Sequence, residues 1–399
     1  MKKTLKFILI LALIGGFALF IFWLINPGRT PIQNGFISKV RDFNPFGGDS
    51  TDSFEDTNTE GSFFEGGNEV TEDSDRVLPA IEMIYSSPVG GYTLLGDGSS
   101  TTVRVVDRAT GHIIDINTIT KEQKRISNTT LPGIIEATWF NEGKGVVMRY
   151  LKESSDVIET LIISNLSTTG EDTAGTYLEE NIASIKPISN TEIAYIIPSD
   201  SGSGIKIYNT SANTTETLLT STIREWKILG GNKNGIYVQT KASYSAPGYV
   251  YRLTRPRGEL LNVLQGRSGL NAILSNDQST LFATTAGNDP INYIFDQNFD
   301  ESSIVDMQTI ADKCVFTSNE ELYCGVPIRF PTHMPDVWYM GTATLADQIW
   351  KTDTDGTTTF ITGLQNIDII KPQLSENEEQ FFFTNKSNGS VWIVRLNLL

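Results

Sequence analysis

One unit recurs along this chain: an apolar run, a short polar turn, then a second apolar run. It reads ATWFNEGKGVVMRY, KPISNTEIAYII, WKILGGNKNGIYVQT, NAILSNDQSTLFATT, KCVFTSNEELYCGV and KPQLSENEEQFFFT, with VGGYTLLGDGSSTTVRVVD as a looser first copy. Short apolar runs split by Asn, Asp, Gly and Ser are strand–turn–strand signals. The last apolar residues before the turns are Leu95, Phe140, Ile188, Leu229, Leu274, Phe316 and Leu374, spaced by 45, 48, 41, 45, 42 and 58 residues.

A period of roughly 40–50 residues is that of the four-stranded antiparallel blades of a β-propeller. The expected fold is therefore all-β, a seven-bladed propeller over residues 78–399. Each turn joins the two inner strands of a blade, and segments such as IETLIISNLS and GYVYRLTRPRGELLNVL supply the outer strands. The last blade is short, with only 25 residues between Leu374 and the end of the chain. The stretch Leu78–Ser86 is expected to add its missing outer strand and close the ring, so that no apolar edge is left bare.

Hydrophobic residues make up 39% of the 399-residue chain and charged residues 20%, enough for a substantial core. The net charge of −16 argues against a nucleic-acid partner, whose phosphates it would repel.

Residues 1–6 carry Lys2, Lys3 and Lys6 ahead of FILILALIGGFALFIFWLI, residues 7–25. Nineteen uncharged residues reach across a bilayer core of about 30 Å as a helix. The run ends in bulky residues where a signal peptidase needs small ones, so residues 7–26 read as an uncleaved signal anchor. Charge counting is nearly balanced, because Arg29, Lys39 and Arg41 follow the span. The short basic tail, read as cytoplasmic, and the cysteine usage favour a domain on the extracytoplasmic side of the cell membrane. Residues 27–77 read as a flexible linker: Asp42–Asp75 holds eleven acidic residues and no basic one.

The turns Ser275-Asn276-Asp277 before Leu281-Phe282, and Ser375-Glu376-Asn377 before Phe381-Phe382, resemble the WD40-like repeats of TolB-type propellers. The whole chain is also similar to single-anchor propeller proteins of candidate-phylum bacteria. The usual S-P-D-G turn is intact in no copy. The resemblance implies an extracytoplasmic, protein-contacting role and no particular activity.

Cys314 and Cys324 flank a hairpin loop at Ser318-Asn319-Glu320, which puts them opposite one another within disulfide range. The competing reading is a pair of buried free thiols. No His stands at ligand spacing, and neither a metal nor a cofactor is implied. Asp296–Asp300 imitates the start of a calcium loop but lacks its glycine and its final glutamate, and reads as a polar turn.

The longest spacing falls in blade six, where residues 325–348 intervene between its second and third strands. Arg329, Phe330, His333, Met334, Trp338 and Tyr339 crowd into it. Corresponding loops would bring Arg108, His112, Arg149, Tyr244 and Lys386 to the same face. Two readings stand: a face for a partner, or an insert folded back to plug the channel. Nucleophile-elbow, zincin and phosphate-loop motifs are missing. The leading expectation is a non-enzymatic module for an envelope or surface protein or polymer. The rival is a carboxylate-based, glycan-active enzyme at the channel mouth.

Overall fold

The computed structural model describes residues 78–96, 101–166, 175–287, 290–296 and 298–399. Among them, 28 strands run from β1 (Ile81–Tyr85) to β28 (Val391–Arg395) and form seven four-stranded antiparallel sheets. Six sheets use four consecutive strands each; the seventh runs β1-β28-β27-β26. The N-terminal strand thus completes the C-terminal blade, as the truncated last repeat demanded. Ile81 pairs with Val394, Glu82 with Ile393 and Met83 with Trp392.

The first strands of successive blades touch: β2 (Val89–Leu95), β6 (Ile134–Phe140), β10 (Ser184–Pro187), β14 (Trp226–Asn232), β18 (Asn271–Leu274), β22 (Cys314–Phe316) and β26 (Ile369–Leu374). They therefore form the inner wall. The approach is close: a Cβ on Gly91 would meet the Ala137 carbonyl oxygen at 2.0 Å, so only glycine fits there. Between blades seven and one, the Tyr92 hydroxyl donates to the Lys371 carbonyl at 2.7 Å and Lys371 Nζ donates to the Gly90 carbonyl at 3.0 Å.

Blades pack face against face, so their middle strands are covered on both sides. That is why QFFFTN and TVRVVD read as continuous apolar runs; Phe381, Phe382, Phe383, Val103, Val105 and Val106 are fully buried. Outer strands such as Thr214–Ser221 face water on one side and carry Thr and Glu.

The turns explain the departure from S-P-D-G. Ser275 Oγ accepts from the Thr280 amide and donates to Asp277, and Ser375 repeats this with Gln380 and Asn377. The fourth turn residue has positive φ, 66° at Gln278, 65° at Glu320 and 58° at Glu378, where glycine is the unstrained choice. Here the side chains reach the preceding blade. Gln278 donates to the Gly231 carbonyl, Glu320 accepts from Ser279, and Glu378 accepts from the Ser318 amide. Strain at each turn is exchanged for a bond between blades.

Cys314 pairs with Cys324 across the first hairpin of blade six, and the two form a disulfide with a Cα–Cα distance of 4.1 Å. At the calcium-like stretch, Asp296 accepts from the Asn298 and Asp300 amides, a polar turn.

Among the described residues no helix is long and apolar enough to cross a membrane. The expected tail at 1–6, span at 7–26 and most of the linker at 27–77 lie outside them.

Candidate binding site at the channel mouth

The long insert begins after β23 (Leu322–Pro327) and ends at β24 (Asp347–Thr352). Antiparallel order puts it at the end of the ring opposite the Ser-Asx turns. At its centre is a one-turn helix, Asp336–Tyr339. The insert is pinned from below. Met334 and Trp338 are buried at 2% and 4% exposure, so neither presents itself to a partner. The Trp338 indole donates to Asp368 at 2.9 Å, and Lys386 lies 4.4 Å over its ring.

Beneath it, Lys313 Nζ sits 2.6 Å from Asp347 and 2.5 Å from Asp368, with all three side chains fully buried. Burial pushes the Asp347 carboxyl up to about 6, against the opposing pull of Lys313. The triad ties the start of blade six, its third strand and the connection into blade seven to the insert's tryptophan.

From the side, Asp336 of the insert accepts from the Ser243 hydroxyl at 3.0 Å and the Tyr244 amide at 3.1 Å, across to blade four. His333 is exposed and its ring rests 4.9 Å from that of Tyr244. Tyr339 is 40% exposed; its hydroxyl lies 2.7 Å from Asn271 Nδ2, whose proton it accepts, and it donates to Asp312 at 2.5 Å. Lys227 pairs with the same Asp312. Burial alone would raise the Asp312 carboxyl, but Lys227 and these hydrogen bonds hold it below the usual carboxylate range.

Around this cluster opens a pocket of about 390 Å³, lined by Arg224, Glu225, Lys227, Lys241, Asp312 and Tyr339 among others. That volume suits a small ligand or the end of a polymer, for which pockets of roughly 300–1,000 Å³ are usual. Lys186, on the inner strand of blade three, lies within electrostatic reach of Lys227 and Asp312. It is open to the channel, yet the walls around it strip away water, and its ammonium is lowered to about 8. Across the channel, burial lowers Lys371 too, within the fields of Glu136, Arg108 and Arg149.

The residues singled out from sequence therefore separate into groups. His333, Tyr244 and Tyr339 come together at the mouth. Arg108 and Arg149 lie within electrostatic reach of Lys371 on the side of blades one and two, where Arg108 donates to the Ile134 carbonyl and Arg149 pairs with Glu136 at 2.8 Å. His112 instead faces Arg125 on the outer strand of blade one, 2.6 Å away, and burial and that arginine lower its pKa. Arg329 is exposed on the insert. No group of three or more potential metal ligands occurs among the described residues.

Fold and closure define a seven-bladed β-propeller sealed by its own N-terminal strand. In structure it is similar to oligogalacturonate lyase from Vibrio parahaemolyticus, with a TM-score of 0.52 and 11% identity over 82% of this chain and 95% of that one. It is similar to the β-propeller domain of the Trilobed protease from Pyrococcus furiosus, with a TM-score of 0.50 and 11% identity over 78% of this chain and 96% of that one. That domain is described as having an open velcro topology, whereas β1 closes this ring on β28. TolB from Acinetobacter baumannii is also similar, with a TM-score of 0.42 and 13% identity over 66% of this chain and 63% of that one. These likenesses concern the fold. No protein-family profile matches the sequence, and no curated protein does.

Proposed function

We propose that this is a binding module held at the extracytoplasmic surface by residues 7–26, which grips an envelope or surface protein or polymer at the insert-bearing channel mouth. The observation that carries this reading is the pocket itself. Arg224, Lys241 and Tyr339 are exposed on one rim, and the buried triad fixes the insert that forms part of it. Aromatic and arginine side chains on a rigid support are what interaction surfaces use. The disulfide fits an oxidising compartment.

The rival reading, a glycan-cleaving enzyme, draws on two pocket carboxylates, Glu225 and Asp312. Such chemistry needs one carboxyl kept protonated near neutrality. Lys227 holds Asp312 the opposite way, which favours binding.

Co-sedimentation with isolated envelope material tests the proposal. The protein should pellet with the envelope, and Arg224→Glu plus Lys241→Glu, two exposed changes away from the core, should abolish this. Unchanged sedimentation of the double variant removes the mouth as the binding face.

A further inference from the structure

The charge of the channel is inverted relative to the chain that builds it. The protein carries a net charge of −16. Yet, among the described residues, Lys186 and Lys227 share Asp312 on one side of the channel, and Lys371, Arg108 and Arg149 share Glu136 on the other. A low-dielectric cleft lined by one sign of charge focuses its field and concentrates ions of the other sign.

Two of these cations are left without a carboxylate. Lys186 Nζ donates to the Leu229 carbonyl at 2.5 Å and Lys371 Nζ to the Gly90 carbonyl, and among the described residues no carboxylate lies within ion-pair distance of either. Each ammonium faces the open channel with a carbonyl as its hydrogen-bond partner, which leaves charge there for an anion to neutralise. Burial and then the neighbouring Lys227 lower the Lys186 ammonium, against the pull of Asp312.

The pocket that Lys227 lines, with Lys186 within electrostatic reach of that lysine, is not purely cationic. It also offers acceptors, Asp312 and Glu225, beside the exposed ring of Tyr339. That ring is held in place by its hydroxyl bonds to Asn271 and Asp312 and by Trp338, whose centroid is 5.4 Å away. A chain of carboxylates alone would be repelled by the two acids. A ligand with one carboxylate, several hydroxyl donors and a C–H face matches all three features.

We propose that the channel mouth binds an acidic sugar, its carboxylate held by Lys227 and Lys186, its hydroxyls by Asp312 and Glu225, and its ring against Tyr339. This rests on the mouth being the binding face and names what it binds.

The test is calorimetric titration of the full chain in detergent with a glucuronic acid trisaccharide, its neutral glucose counterpart and the tripeptide Glu-Glu-Glu. The uronate should bind, with glucose oligomer and tripeptide at least tenfold weaker. Lys186→Met, which removes a side chain projecting into the open channel, and Tyr339→Ala should each weaken uronate binding at least tenfold. Thermal melting matched to the parent protein confirms that both variants are folded. Absent uronate binding, equal binding of the neutral oligomer, preference for the tripeptide, or unchanged affinity in a folded Lys186→Met overturns the proposal. If envelope sedimentation still depends on Arg224 and Lys241 while uronate fails to bind, the sugar assignment alone falls. If sedimentation ignores those charges, the mouth as binding face falls with it.

Discussion

Arg395 holds Glu82 at 3.1 Å across the junction where the last strand of the chain meets the first strand of the ring. The same guanidinium donates to the Pro79 and Thr118 carbonyls, so one buried side chain gathers blade one, blade seven and the closing strand. Ile84 of that strand is buried at 6% exposure. Deleting residues 78–87 should lower unfolding free energy by on the order of 4 kcal/mol, since burial of a single isoleucine is commonly worth 2 or more. Urea unfolding of the truncated and intact proteins measures this, and coincident transitions would reject closure by β1.

Glu378 sits at positive φ while its carboxylate accepts from the Ser318 amide of the preceding blade. Glu378→Ala loses the bond and keeps the backbone strain; Glu378→Gly loses the bond and relieves the strain. Ala should therefore be the less stable variant by about 1 kcal/mol. Thermal denaturation of the pair checks the order, and an Ala variant as stable as Gly would contradict it.

Asp347 has its carboxyl raised by burial to about 6, from an ordinary 3.8. The native state therefore binds more protons than the unfolded chain between those values. The stability contributed by this group is fully present at lower pH and is lost as pH rises through 6. The stability of the parent relative to Asp347→Asn should fall between pH 4 and 6.5 and then level off. Chemical denaturation at several pH values reads this difference, and a flat or rising difference would contradict it.

The disulfide closes a loop of ten residues in sequence separation, worth roughly 2–3 kcal/mol on chain-entropy grounds. Denatured, unreduced protein should show no free thiol and reduced protein two, with lower stability after reduction. Two free thiols before reduction would contradict the pairing.

Much of this architecture was legible because it follows from period. The anchors before each turn fall in or just after the first strands of the seven blades, the shortfall after Leu374 matches β1, and the hairpin register matches Cys314 with Cys324. The site was less legible. The insert was visible as an overlong spacing, but the direction of Trp338 depends on Asp368, 30 residues on, and on Lys313. No local pattern encodes that meeting. A signal for the channel is present in the sequence: Lys186, Lys227 and Lys371 each stand two or three residues before an anchor. A lysine recurring on the inner strand of a ring converges on the axis, whereas one lysine taken alone looks like any solvated surface charge.

The central claim, that this propeller engages its ligand at the insert-bearing mouth, is tested most directly by site-specific photocross-linking of the full chain with envelope material. A photoreactive residue is placed at Lys241 or Tyr339 on the mouth and, separately, at Lys233 or Glu376 on the turns of the opposite face. Adducts with envelope material should form from the first pair and not from the second. Adducts from Lys233 and Glu376, with none from Lys241 and Tyr339, would contradict the account.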